Sequence, residues 1–416
     1  MGDSLKKTRI EILLLFILYL FILPRVSMEY DMSFWREWAL NIHKVGLANT
    51  YNTSINYFPI YVYFIYIYDL LQGTEINITN NINNIKIFFV FFDFLPIFFL
   101  CCFRHKFLNF KIPYLYLLLN IAYVFNSMVW GQIDCIYTNL AFLAIIIAVY
   151  YPVIGASIYI LALNTKLQAI EFLPFIIIIL FYSIRQYKTL LFTMLGLLLT
   201  QFFIVLPFIL NGGILKLVSI ITHSIGLYNR LSISAFNFWY LFTNSNPYET
   251  VDTDKWFLVS YRAAGLVLFS ISAIFIMLPF LIKILETRKL NLQPDKHFYE
   301  TLFLGIGMIC LCFFYFNSEM HERYAHPIII FFFFYGVVSN NYKLFILSSI
   351  PYILSLDKCF SYPDGYLPVY HYKFIYASKI IAIWYTLTLV YGSYLYFLLY
   401  KKESVGVIIK RGSNII

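Results

Sequence analysis

Charge is scarce in this chain: 30 Lys+Arg and 21 Asp+Glu make up 12% of its 416 residues, about half the roughly 25% of a soluble globular domain. So little charge cannot clothe a globule in water, which excludes a cytosolic enzyme and a disordered segment. CxxC pairs are also missing, and the six cysteines lie mostly in or beside apolar runs. They read as packing residues, and a secreted disulfide scaffold is excluded. There is no Gly-rich nucleotide loop and no internal repeat, and His321 and His326 lack the spacing of an H-E-x-x-H zinc pair. The net charge of +9 forms no basic stripe; the cations sit mainly between apolar runs, which speaks against nucleic acid as a partner.

What is present is apolar surface: 61% hydrophobic residues, 21% aromatic, and a mean hydropathy of +0.75. Runs long enough to span a bilayer as helices recur along nearly the whole chain, so the fold class is an all-α polytopic membrane protein. The runs fall at about 10–26, 86–103, 112–128, 135–151, 152–165, 168–184, 189–210, 257–283, 299–316, 324–338, 342–355 and 375–400, twelve in all. Lys6, Lys7 and Arg9 place the start of the chain in the cytoplasm. Alternating from there, the cytoplasmic turns collect Arg104, Lys106, Lys111, Arg185, Lys188 and Lys283 to Lys296, and a short cytoplasmic tail follows at 401–416. Residues 57–72 would invert this pattern as a span, so they are expected to lie in the outer interface, a depth that suits their Tyr rings. Two long non-cytoplasmic loops result, about 27–85 and 211–256, with a shorter one at 356–373.

Polar clusters at helix ends carry information because a charge at the bilayer centre costs about 2.5–3.5 kcal/mol on insertion scales. Five lie on the outer face. Glu29-Tyr30-Asp31 leads into an amphipathic segment whose Trp35 and Trp38 share one helix face; Asp31 reads either as a capping carboxylate or as a base at the membrane surface. Tyr57-Phe58-Pro59 opens the interfacial segment, with Pro at the first turn. Trp130-Gly131-Gln132-Ile133-Asp134 suits stacking on a sugar and hydrogen bonding to its hydroxyls, or an interfacial turn. Lys166, with Gln168 beside it, opposes the charge bias and requires an anion, either Glu171 or a ligand phosphate. His321-Glu322-Arg323-Tyr324 opens a span, where helix N–H groups and the Arg suit a phosphate; an Arg–Glu pair is the structural alternative. Asp69 and Asp93 are left without a role.

Taken together these elements resemble the GT-C superfamily of membrane glycosyltransferases, and most closely bacterial relatives of the GPI mannosyltransferase 2 family. The likeness rests on Asp31 in the first outer loop, the Tyr-Phe-Pro element, WGQID at 130–134, Lys166-Leu167-Gln168 and HERY at 321–324, and covers most of residues 1–340. It implies one GT-C-like catalytic bundle over 1–400 and an inverting transfer of a hexose, mannose favoured. The donor would be a polyprenyl-phosphate sugar, and the acceptor a hydroxyl of a glycan, lipid-linked or protein substrate. On that likeness Asp31 is the general base, and Arg323, His321 and Lys166 hold the donor phosphate. Trp130, Gln132, Asp134, Tyr57, Gln168 and Glu322 contact sugar or acceptor, and no metal or other cofactor is called for. The bacterial inner (plasma) membrane is the expected location, the endoplasmic reticulum the alternative. A transporter or flippase of lipid-linked glycans is the competing function.

Overall fold

A computed structural model of the chain describes residues 2–23, 25–107, 110–224, 226–361 and 377–412. The chain divides into two compact units, Met1–Leu227 and Tyr228–Ile416. The first unit carries α1 (Gly2–Ile22), α2 (Glu29–Val45), α3 (Pro59–Gln72), α4 (Glu75–Asn80), α5 (Lys86–Phe107) and α6 (Tyr114–Leu118). It continues through α7 (Ile121–Val124), α8 (Asp134–Ala148), α9 (Pro152–Leu163), α10 (Leu173–Ser183), α11 (Tyr187–Leu210) and α12 (Ile214–Thr222). A π-helical turn at Phe125–Trp130 and a 3-10 turn at Leu167–Phe172 interrupt them.

The second unit holds α13 (Trp239–Phe242), α14 (Tyr261–Lys289), α15 (Lys296–Phe316), α16 (His326–Ser339), α17 (Lys343–Ser361) and α18 (Ser378–Gly412). Four two-residue strands lie among them. β1 (Ser232–Ile233) pairs in parallel with β4 (Met320–His321), and β2 (Lys255–Trp256) is antiparallel to β3 (Val259–Ser260).

Burial sorts these helices. A helix apolar all round must sit in a core or in lipid. In the first unit α8 is buried along its whole length and packs on α5 and α9, while α11 leaves most of its surface uncovered. In the second, α15 and α16 form the core and α14 is the uncovered helix. Among the described residues five helices are long and apolar enough to cross a membrane: 82–103, 187–210, 261–289, 296–316 and 378–401. The uncovered faces of α11 and α14 suit lipid, in keeping with a membrane protein.

Several expected spans fall on shorter elements. Helices α8, α9, α10 and α16 have 15, 12, 11 and 14 residues, rises of about 16–23 Å against ~30 Å of hydrocarbon. The run at 112–128 is broken: the Asn120 carbonyl accepts from Tyr123 and Val124 at 3.0 and 3.1 Å and restarts the helix as α7. The segment 57–72, expected to lie in the interface, folds as α3, with Pro59 in its first turn and Gly73 ending it at φ 71°. The 27–85 stretch is largely helical, and α17 runs on to Ser361, so most of the loop expected at 356–373 lies outside the described residues. Helix α18 continues through the expected tail to Gly412, and residues 413–416 lie outside the description.

Candidate functional site

In the first unit the site starts from α2, whose buried face carries Met32, Trp35, Trp38, Ala39 and Ile42. Trp35 and Trp38 do share that face, their ring centroids 5.1 Å apart. Tyr57 packs against both at 5.4 Å, so its ring belongs to an aromatic cluster at the foot of α3. Asp31 lies in the first turn of α2, half-buried, where a carboxylate also complements the helix dipole.

Opposite Asp31 stands the turn at 125–134. π-helical turns carry an extra residue and recur at functional sites; this one ends at Gly131, whose φ is 86°. A Cβ there would lie 2.8 Å from Met32 Sδ, so both the dihedral and the space call for glycine. The turn is tied down from every side. Its Val129 carbonyl accepts from the buried Lys86 Nζ at 3.3 Å, which also donates to Val26 O at 2.9 Å. Trp35 Nε1 donates to Gly131 O at 3.0 Å, and Met28 N donates to Trp130 O at 3.2 Å. Ser127 donates to the buried Asp93 of α5, whose other oxygen has no partner among the described residues.

The outcome of this bracing is the placement of Trp130. Its indole Nε1–H donates to Asp31 Oδ2 at 2.7 Å. No other hydrogen bond or ion pair to the Asp31 carboxylate is found among the described residues. The donor is neutral, so it orients the carboxylate without cancelling its charge.

Asp134 and Lys166, both buried, form an ion pair at 2.5 Å, and Asn126 Nδ2 reaches the other Asp134 oxygen at 3.3 Å. The anion that Lys166 requires is thus met within the protein by Asp134, a residue expected to grip sugar. The adjoining turn is joined to α3 by Ile60 N donating to Asn164 O at 2.9 Å. Gln132 is buried, its Oε1 without a hydrogen-bond partner among the described residues, and Gln168 is half-buried. Four of the five polar clusters therefore belong to one hydrogen-bonded assembly in the first unit. Asp69 is held by His43 Nδ1 at 2.7 Å.

The fifth cluster lies in the second unit. His321, on β4, is flanked by the rings of Tyr228 at 4.7 Å and Tyr324 at 5.1 Å. Arg323 donates to Glu322 Oε1 at 3.1 Å and lies over Tyr324. The Arg–Glu pairing is therefore present, and it keeps Glu322 on its neighbour. Helix α16 begins at His326, so His321 and Arg323 occupy the strand and 3-10 turn before it. His326 is buried and faces the Tyr352 hydroxyl at 3.2 Å. Among the described residues no three His, Cys, Asp or Glu side chains are grouped to hold a metal.

Sequence reasoning missed a second network in this unit. Arg262 grips the buried Asp252 with two bonds, of 2.7 and 2.9 Å, and reaches Glu319 at 2.8 Å. Ser318 donates to Asp252 at 2.8 Å. Burial pushes the Glu319 carboxyl above its usual range, an effect that Arg262 opposes. Asp252, in the turn before β2, and Arg262, in the first turn of α14, are ten positions apart, and no spacing rule links them. Near the same site Asn229, Ser234, Phe236 and Glu319 all have positive φ, a concentration of backbone strain in the β1–β4 region.

No protein-family model and no curated protein sequence matches the chain.

Proposed function

We propose that the chain is a GT-C-type inverting hexosyltransferase with about twelve membrane passes, using a polyprenyl-phosphate hexose, mannose favoured, at the non-cytoplasmic face. The observation that carries this reading is Asp31: a half-buried carboxylate oriented through one oxygen by Trp130 Nε1 at 2.7 Å. In the proposed reaction its other oxygen takes the proton of an acceptor hydroxyl. The hydroxyl oxygen forms a bond to the anomeric carbon as the bond to the lipid phosphate breaks. The bonding pair leaves with the phosphate, and the configuration at the anomeric carbon inverts. Lys166 is reassigned: its ammonium is engaged by Asp134, so its part is to hold the 130–134 turn, with Trp130 and Gln132 left to face the acceptor.

A second reading has Asp93 in its favour. A carboxylate buried within a candidate membrane helix is a feature of transport pathways, as a flippase of lipid-linked glycans would need. Purified full-length protein in vesicles, offered a panel of labelled polyprenyl-phosphate sugars with sugar acceptors, separates the two. The glycosyltransferase reading expects a new glycoside of inverted configuration. Movement of the labelled lipid across the vesicle without product would overturn it in favour of the flippase.

A further inference from the structure

We propose that the β2–β3 hairpin is a membrane anchor, its tip Phe257-Leu258 inserted among the lipids beside the start of α14. Phe257 and Leu258 are 85% and 94% exposed, the most exposed large apolar side chains among the described residues. Turn chemistry argues against them as well. Two-residue hairpin loops select Gly, Asn or Asp because the backbone needs positive φ. Phe257 takes φ 57° all the same, where a bulky residue is an outlier. A side chain that suits neither the turn nor water marks a requirement from outside the chain.

The surroundings identify what meets the tip. Behind it the hairpin is fastened to α14: Trp256 stacks on Tyr261, Trp239 meets both rings edge-on at 5.4 Å, and Tyr261 N donates to Asp254 O at 3.0 Å. Ser260 caps α14 through Ala263 N. Helix α14 is a 29-residue candidate span with 22% of its apolar window buried, so its first turn marks one edge of the bilayer and its outer face belongs to lipid. The hairpin tip is three residues from that turn, and its two side chains stand open beside it. Two side chains are far too few for the core of a protein interface, which takes about 800 Å² per partner. Lipid needs no such area. The hairpin's first strand meets polar groups, with Lys255 lining a cavity of about 400 Å³ together with Ser245, Asn246 and Glu249. An apolar tip backed by Trp and by polar groups is the arrangement that seats in the headgroup zone.

The inference is independent of the enzymatic reading, and its test reads fluorescence of the full chain in phosphatidylcholine–phosphatidylglycerol vesicles. In Leu258→Trp the added emission should be blue-shifted, quenched by lipids brominated near the headgroup and protected from acrylamide. Emission at the position of tryptophan in water, open to acrylamide and untouched by bromolipid, would overturn the proposal. A second variant, Phe257→Asn with Leu258→Gly, supplies the turn with its preferred residues. It should keep the unfolding midpoint in detergent while losing bromolipid quenching at Trp256, measured as the difference from the same chain carrying Trp256→Phe. Unchanged quenching at Trp256 would contradict insertion even if the first variant failed to fold.

Discussion

Two carboxylates, one in each unit, show how differently this chain treats negative charge. Asp252 is fully buried, bound through both oxygens by Arg262, and bound again by Ser318. Asp31 is half-buried and held through one oxygen by a neutral indole. A guanidinium fork neutralises a carboxylate and fixes the loop that bears it. An indole N–H sets direction and leaves the charge for chemistry. Under the proposed function, ionic saturation marks the residue that holds structure, and sparse neutral bonding the one proposed as base. Asp134, paired with Lys166, falls on the structural side despite lying only four residues beyond Trp130.

Breaking the ionic side should have the largest effect on stability. Lys166→Met leaves the buried Asp134 charge uncompensated, and loss of one partner from such a pair costs about 3–5 kcal/mol. A lowered thermal midpoint in detergent, largely restored by adding Asp134→Asn, is expected. Arg262→Ala should cost less, about 2–3 kcal/mol, because its side chain is 35% exposed and solvent screens part of the pair; the same thermal measurement checks it. Gly131→Ala forces positive φ on a residue with a Cβ and crowds Met32, for about 1–3 kcal/mol. Its distinguishing readout is a changed response of Trp130 fluorescence to the Asp31→Asn substitution. Trp130→Phe removes the indole N–H and part of a buried ring while keeping an aromatic side chain, with a stability cost of about 1–2 kcal/mol. Sugar transfer should fall further than that cost explains, because Asp31 loses its orientation.

The sequence pattern made much of the first unit readable. The three-residue spacing of Trp35 and Trp38 predicts a shared face, and Pro59 predicts where α3 begins. Of the five polar turns singled out by composition, four join in one hydrogen-bonded assembly. What stayed hidden are contacts that depend on the fold. Lys86 stands at the head of an apolar run and reads as a flank, yet it is buried and clamps the chain at Val26 and Val129. The Asp252–Arg262–Glu319 network joins residues whose separations follow no helix or strand period. The break at Asn120 is equally silent, since the apolar run continues through it while the backbone restarts. Periodicity reports which face of a helix is buried, and not which distant loop will cover it.

The most direct test of the central claim is single-turnover sugar transfer by wild-type and Asp31→Asn protein from a polyprenyl-phosphate hexose, with unfolding midpoints measured on both. Asparagine keeps an acceptor for the Trp130 indole and removes the base. The account predicts matching midpoints and a transfer rate lowered by about 10²–10⁴-fold. Equal rates in the two proteins would contradict it.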